Sequence, residues 1–350
     1  MPKLKQWLAA ALGCLICSAS AAQPEPIWVA AKAPDFGGTL RVMTYNVEGL
    51  PWPIAWGRDE SLHRIGDRLR TMRQSGEAPH VVALQEAFSD EARAIGRRAG
   101  YRYMIDGPVL PDAGDGPMTE ADRQYVAAGH WWRGEVAIKL VGSGLLILSD
   151  YPVTRVRRLA FPRFACAGFD CLANKGALLV TLDIPGAASP VDVVTTHLNS
   201  RRSSAVGDSR SLQAYRRQVD LLTAFIGAQH DRAYPLIVTG DFNVGMARPR
   251  WAALGPRIEA WSAGDRFENA LLNVAGTRRA RGLGVSPGVA AAIRRGTDWQ
   301  FFSSGRLARL DAMAVFAPFA REPGGGMLSD HIGYTATFRV ASNAGYRPGN

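Results

Sequence analysis

Cysteine is scarce in this chain of 350 residues: Cys14 and Cys17 lie near its start, and only Cys166 and Cys171 follow. A disulfide-rich scaffold is therefore excluded. The Cys-Ala-Gly-Phe-Asp-Cys spacing has no Cys or His partners nearby and makes a poor zinc site, so a local disulfide stapling a loop is expected. No apolar run reaches the ~18 residues of a membrane span, and the 37 Gly and 21 Pro recur with no fixed period. Transmembrane, collagen-like and solenoid architectures drop out. Acidic residues are outnumbered, 31 against 41 Lys and Arg, and the resulting charge of +10 favours an anionic partner: nucleic acid, an acidic membrane surface or a phosphorylated substrate. What is present, 47% hydrophobic residues over this length, suffices for a large core and rules out a disordered tail or a mini-protein.

Lys3 and Lys5 precede an apolar run from Trp7 to Ala19, and Ala19-Ser20-Ala21 offers the small residues a signal peptidase requires. The expectation is a signal peptide over 1–21 and a secreted or periplasmic protein, with lipid attachment at Cys14 as the alternative. Residues 22–38 read as a Pro- and Ala-rich arm, 39–341 as one domain without an internal linker, and 342–350 as a tail. Strand-like runs recur at Leu40–Val47, His80–Leu84, Leu145–Ser149, Ala177–Ile184, Val191–Leu198, Leu236–Thr239, Leu310–Phe316 and Ile332–Val340. Helical stripes lie between them: Leu62, Ile65, Leu69 and Met72; a helix capped by Ser89; and Leu212, Tyr215, Val219, Leu222 and Ile226. Alternating strands and helices predict an α/β protein. The stretch 273–296, crowded with Gly, Arg and Pro, reads as a long surface excursion.

In α/β sheets, ligand and catalytic groups collect where strands end. Polar clusters stand at such points here: Thr44-Tyr45-Asn46-Val47, Gln85-Glu86, Thr195-Thr196-His197-Leu198-Asn199, Gly240-Asp241-Phe242-Asn243, Leu310-Asp311 and Ser329-Asp330-His331. Carboxylates and Asn without Cys suit a hard cation such as Mg²⁺, with Mn²⁺ or another divalent ion as a substitute. Two His beside them supply proton transfer, and the combination fits phosphoester cleavage. Taken singly, each motif has an ordinary structural use, as a turn cap, a surface acid or an Asx-turn.

Taken in order, the six motifs resemble the endonuclease/exonuclease/phosphatase superfamily across residues 40–340. Within it, Phe169-Asp-Cys-Leu-Ala-Asn-Lys-Gly176 and Ser143-Gly-Leu-Leu-Ile-Leu-Ser149 are similar to neutral or bacterial sphingomyelinases. The resemblance implies a four-layer α/β/β/α sandwich of the DNase I type, two mixed sheets face to face with helices outside. It implies Glu86 as the principal Mg²⁺ ligand with Asn46 beside it, and Asp330 touching a second ion. It implies His331 as general base, Asp311 as the carboxylate orienting it, and Asp241 and Asn243 positioning nucleophile and phosphate. His197 becomes the imidazole on the phosphate or leaving oxygen, while Asn199 and Lys175 bind substrate.

For the substrate, a phospholipid headgroup ester such as sphingomyelin stands first. Trp52 and Trp56 follow the Asn46 motif and could seat in a membrane interface, with Trp131-Trp132 and Trp299-x-Phe301-Phe302 extending that surface. The stretch 312–328 is too short for the long aromatic hairpin that secreted bacterial sphingomyelinases carry there. Nucleic acid is the alternative, resting on Arg201-Arg202, Arg216-Arg217, Arg278-Arg279 and Arg294-Arg295. A non-catalytic binding protein of the same fold is the third reading. A monomer acting on a phosphodiester substrate is expected.

Overall fold

The computed structural model describes residues 35–343, apart from 51–54, 111, 113, 115, 137, 262–266 and 323. The expected signal peptide, most of the arm, the tail beyond 343 and Trp52 lie outside the described residues. No described helix is long and apolar enough to cross a membrane.

Among the described residues, twelve strands form two six-stranded mixed sheets. The first contains β1 (Thr39–Gly49), β2 (Val81–Ala87), β3 (Tyr103–Asp106), β4 (Leu146–Ser149), β11 (Ala308–Phe319) and β12 (Gly333–Ser342), in the order β11-β12-β1-β2-β4-β3. The second contains β5 (Val153–Ala160), β6 (Gly176–Leu182), β7 (Val191–His197), β8 (Leu236–Asp241), β9 (Glu268–Asn269) and β10 (Asp298–Ser303), in the order β5-β6-β7-β8-β10-β9. Each sheet is antiparallel except for one central parallel pair, β1 with β2 and β7 with β8. A parallel pair needs a crossover. Here α1 (Arg58–Gln74) supplies it in the first sheet and, after α2 (Asp90–Ala99) and α3 (Glu120–Ala127), α4 (Asp208–Gln229) in the second.

Strand alternation builds the layers. Leu40 and Val42 of β1, Val81 and Ala83 of β2, Val191 and Val193 of β7 and Ile237 of β8 fill the space between the sheets, with Phe302 stacked edge-on to Phe338 at 5.2 Å. The opposite face of the first sheet, with Met43, Tyr45, Val82 and Leu84, packs on Leu62, Ile65, Leu69 and Met72 of α1 and on Ile95 of α2 (Asp90–Ala99). The opposite face of the second sheet packs on Tyr215, Val219, Leu222 and Ile226 of α4 and on α5 (Arg248–Trp261). The result is the α/β/β/α sandwich that the motif resemblance implied.

Along the inward faces the residues change character. Apolar side chains give way to a polar belt: Gln85 donates to Thr195 Oγ1 at 3.1 Å across the two sheets, and Gln300 donates to Val42 O at 3.1 Å. Beyond the belt come Asn46, His197, Asp241 and Asp298, so one end of the sandwich is polar because the inward series of five strands turns polar together.

The predicted helical stripes are buried as expected, Ser89 caps α2 by accepting from Ala92 N, and Cys166 and Cys171 are bonded. Three readings are corrected. Strands β3, β5, β9 and β10 were not anticipated. The supposed excursion 273–296 is built of helices, α6 (Ala270–Ala280) and α7 (Pro287–Arg295), capped by Asn269 and Ser286, with Val274, Ala275, Val289 and Ala292 turned inward and the arginines outward. Trp299, Phe301 and Phe302 are buried strand residues, because β10 is covered on both faces.

Truncating the sheet-to-sheet contact tests this packing. Phe338→Ala removes a fully buried ring facing Phe302 and should cost about 3–5 kcal/mol of stability, read as a lower denaturation midpoint.

Candidate active site

Parallel strands deliver their C-terminal ends to the same rim, and both parallel pairs end at the polar end of the sandwich. β1 brings Asn46, β2 brings Glu86, β7 brings His197 and β8 brings Asp241. Simple alternation would point Glu86 at the helices with Val82 and Leu84. Instead its φ of 57° places it in the left-handed region, a conformation costing of order 1–3 kcal/mol in a non-glycine residue. The side chain lines the cavity between the sheets' ends.

Asn46 ties the two halves together: its Nδ2 donates to Glu86 Oε1 at 2.8 Å and to Asp241 Oδ2 at 3.2 Å. Asn243, also left-handed at φ 48°, donates its backbone N–H to Asp241 Oδ1 at 2.9 Å and its Nδ2 to Leu198 O at 3.0 Å. Gly240 precedes Asp241 with φ 139°, and a Cβ there would stand 2.1 Å from Thr196 O, so only glycine allows β8 this close to β7.

His331 enters from the loop before β12. Ser329 Oγ donates to Asn46 O at 2.7 Å and accepts from His331 N at 3.1 Å, fixing that loop to β1. His331 Nδ1 meets Asp298 Oδ2 at 2.8 Å, which leaves Nε2 facing Asp241 Oδ2 at 3.8 Å. Thr297 Oγ1 also donates to Asp298 Oδ2, at 2.7 Å. On the far side, Lys175 Nζ lies 3.0 Å from Asp170 Oδ2 and 3.2 Å from His197 Nε2. His197 Nε2 is 3.4 Å from Asp241 Oδ2.

Burial pushes Glu86 up from the usual carboxylate range, only partly countered by its bond from Asn46. Burial likewise pushes Asp241 up to about 7, with His331 pulling the other way. His197 is held well below the ordinary imidazole value by burial, then by Lys175 and His331, and is neutral. Burial works to lower His331 too, but the carboxylates of Asp298 and Asp241 more than offset it and raise it well above that value.

The charge pattern tests the fit of a cation. Lys175 pairs with Asp170 and His331 with Asp298, while Glu86 and Asp241 share one neutral amide. The half-buried Glu86 and the buried Asp241, joined by an amide, form an oxygen-rich donor set that suits a hard divalent ion. Glu86 would hold it, joined by Asn46 once that amide turns its Oδ1, which accepts from Glu48 N at 3.1 Å, toward the carboxylates. Asp241, Asp298 and His331 also bring ligand atoms within 4.8 Å of one another. There the Nδ1 to Oδ2 contact is a carboxylate–imidazole hydrogen bond, which orients a proton-transfer group.

The cavity, about 430 Å³, is lined at its polar end by Glu86, Lys175, His197, Asp241, Asn243, Asp330 and His331. Leu50, Phe88, Val141, Phe169, Leu172 and Ala173 make its apolar wall. Of the sequence-predicted residues, two stand elsewhere. Asp311 is on β11, bonded to Arg309 at 2.6 Å; the carboxylate on His331 is Asp298, because β10 pairs directly with β8 and sets Asp298 opposite Asp241. Asn199 is fully buried and turned away, accepting from Ala167 N at 3.2 Å and donating to Ser211 Oγ at 3.1 Å. Asp330 is at the rim, 4.0 Å from His331 Nε2 and largely exposed. Asp298 and Asp170 escaped the sequence reading. The signal for Asp298 was a lone acid opening the dense run Thr297-Asp-Trp-Gln-Phe-Phe302.

A profile of the Endonuclease/Exonuclease/phosphatase family matches residues 43–331. The sphingomyelinase of Mycobacterium tuberculosis is 27% identical over 209 residues, which is 59% of this chain and 34% of that protein. The chain thus spans about a third of the length of the curated relatives it matches. Two solved structures share the fold. A beta toxin variant from Staphylococcus aureus with bound magnesium ions has a TM-score of 0.54 at 17% identity, covering 85% of this chain and 98% of that one. D. rerio TDP2 complexed with a single-strand DNA product has a TM-score of 0.53 at 17% identity, covering 86% and 98%.

A raised imidazole value means that the stability owed to the His331–Asp298 contact is full below pH ~6.5 and is lost as the pH rises through the folded-state value. Asp298→Asn removes the nearest cause. In the cation-free protein, the His331 ring resonance of this variant should titrate at lower pH than in the wild type, measured by NMR. An unchanged midpoint would contradict the pairing.

Proposed function

We propose that this chain, which belongs to the endonuclease/exonuclease/phosphatase family, is an exported phosphodiesterase that uses a divalent cation, Mg²⁺ foremost, to hydrolyse a phospholipid headgroup ester such as that of sphingomyelin. The observation that carries the reading is the His331–Asp298 pair facing Asp241, Asn46 and Glu86 across a cavity that also has an apolar stretch of wall, Leu50, Phe88, Val141, Phe169, Leu172 and Ala173, beside Asp170, Ser200 and Ser203. A lipid substrate fits that division, with phosphate at the polar end and the alkyl portion along Phe88, Val141 and Leu172. The likeness to a sphingomyelinase supports the lipid side of the choice.

Above its raised value, where Nε2 is free of its proton, His331 takes a proton from the attacking water, while Asp298 holds Nδ1–H and steadies the imidazolium that results. Asp241 and Asn243 fix the position of the water and of the phosphate oxygens. Lys175 Nζ, which donates to Nε2 of neutral His197 in the free protein, stands on the opposite side and turns its positive charge toward the phosphate, with His197 beside the leaving oxygen. Glu86 and Asn46, with Asp330 near the rim, would hold a divalent cation, which would supply neutralisation of phosphoryl charge. The attacking group is water, so no covalent enzyme intermediate forms.

The test is phosphodiester cleavage by purified protein on sphingomyelin vesicles and on plasmid DNA, with and without Mg²⁺. Phosphocholine release that EDTA abolishes, with intact DNA, supports the reading; nicked DNA with untouched lipid would move it to nucleic acid, as in the DNA-bound TDP2 fold relative. No cleavage of either would leave a binding protein.

The variants separate the two aspartates. His331→Ala and Asp298→Asn should each lower kcat by about 10²–10⁴ while the fold stays intact by circular dichroism. Asp311→Ala, on the edge strand, should stay within about twofold of wild type. The reverse ranking would return the orienting role to Asp311.

A further inference from the structure

Large apolar side chains stand in solvent on two touching segments beside the cavity. Trp131 and Trp132, on the 3-10 turn Trp131–Arg133, and Ile138 and Leu140 on the loop after it, flank Gly134, which packs on Phe169 of the disulfide-stapled turn. Trp131 is 69% exposed and Ile138 70%. The segments are tied together: Leu140 N donates to Leu172 O at 2.7 Å, Val141 and Ala173 form a parallel bridge, and Asn174 N donates to Val141 O at 2.9 Å. Gly134 closes the turn so tightly on its neighbour that a Cβ there would lie 3.0 Å from Phe169 Cα. Val141, Phe169, Leu172 and Ala173 belong to the cavity wall, so the exposed patch is continuous with it.

The charge around the patch is positive. Arg133 lies exposed within it and Arg163 is exposed nearby, while Lys139 is partly buried and feels the Asp170 carboxylate more than any other charge. The carboxylates of the same segments are already matched, Glu135 with Arg210 at 2.6 Å and Asp170 with Lys175 at 3.0 Å. Tryptophans edge to face at 6.0 Å, aliphatic neighbours and the exposed Arg133 suit the headgroup level of a bilayer, where an indole is half in hydrocarbon and a cation meets phosphate.

We propose that Trp131, Trp132, Ile138 and Leu140 form an interfacial anchor that seats the cavity on a phospholipid bilayer, letting a headgroup reach the polar end while its lipid stays in the membrane. The anchor rests on the lipid reading for its purpose, and it joins Trp131 and Trp132, which the sequence offered as an extension of the tryptophan loop at 52–56, to Ile138 and Leu140.

The test is cosedimentation of full-length protein carrying His331→Ala with vesicles of phosphatidylcholine and phosphatidylserine that contain no sphingomyelin, so that binding is read apart from turnover. Adding Trp131→Ala with Trp132→Ala should lower the partition coefficient at least about tenfold, and Ile138→Ser with Leu140→Ser should act in the same direction. With His331 restored, both double variants should cleave soluble bis(p-nitrophenyl) phosphate within about twofold of the parent, which also shows that they fold. Partition unchanged in both double variants overturns the anchor, even if sphingomyelin is hydrolysed. Partition lost in the variants, with sphingomyelin left uncut by the parent, sinks the lipid-hydrolase reading and keeps the anchor. Sedimentation velocity showing a dimer that depends on Trp131 and Trp132, without vesicle binding, overturns the anchor and gives the face to a second copy.

Discussion

Two carboxylates that water cannot easily solvate, Glu86 and Asp241, are held together by one amide, and most of the site follows from that constraint. The other charges of the cavity are matched among themselves, Lys175 with Asp170 and His331 with Asp298. Asn46 can satisfy an oxygen of each carboxylate but brings no charge. Burial therefore drives both acids up, and a divalent cation among their oxygens is the natural counterpart. The left-handed backbone at Glu86 and Asn243 is strain accepted to bring these groups to one point.

The sandwich makes that point available. Two similar strand–helix–strand crossovers, one in each sheet, send parallel strands to the same end, and the inward side chains run from aliphatic through Thr and Gln to Asn, His and Asp. Rigidity comes from the apolar end and chemistry from the polar end of the same strands. Because side chains from both sheets meet there, as in the bond from Asn46 to Asp241, the sheets must stack in register for the site to exist. The apolar cavity wall has a different origin, the loops around 138–141 and the stapled turn 168–172, which can vary without disturbing the strands.

Much of this was legible in the sequence because alternation and helical stripes carry it: the buried faces of α1 and α4, the Ser89 cap and the polar strand ends that hold Asn46, His197 and Asp241 follow from local pattern, whereas Glu86 reaches the cavity only through its left-handed backbone. Asp298 was not legible. Its strand is apolar and aromatic, a pattern shared by a membrane-facing loop and by a strand covered on both sides, and only its pairing with β8 distinguishes them. Leu310-Asp311 offered the matching dipeptide on a strand whose carboxylate bonds to Arg309. Asn199 misled for a related reason: its place in His-Leu-x-Asn suggests substrate, while its side chain is used up holding the backbone of the 165–170 turn and α4. The helices α6 and α7 hid behind glycines, a proline and outward arginines that suit a loop equally well.

The most direct test of the account is anomalous diffraction from crystals of the protein soaked in Mn²⁺. The account predicts a peak at the Glu86 and Asn46 side chains that disappears in Glu86→Gln while the His331–Asp298 hydrogen bond persists. A peak seated between Asp298 and His331 instead, or none at Glu86 at saturating Mn²⁺, would contradict it.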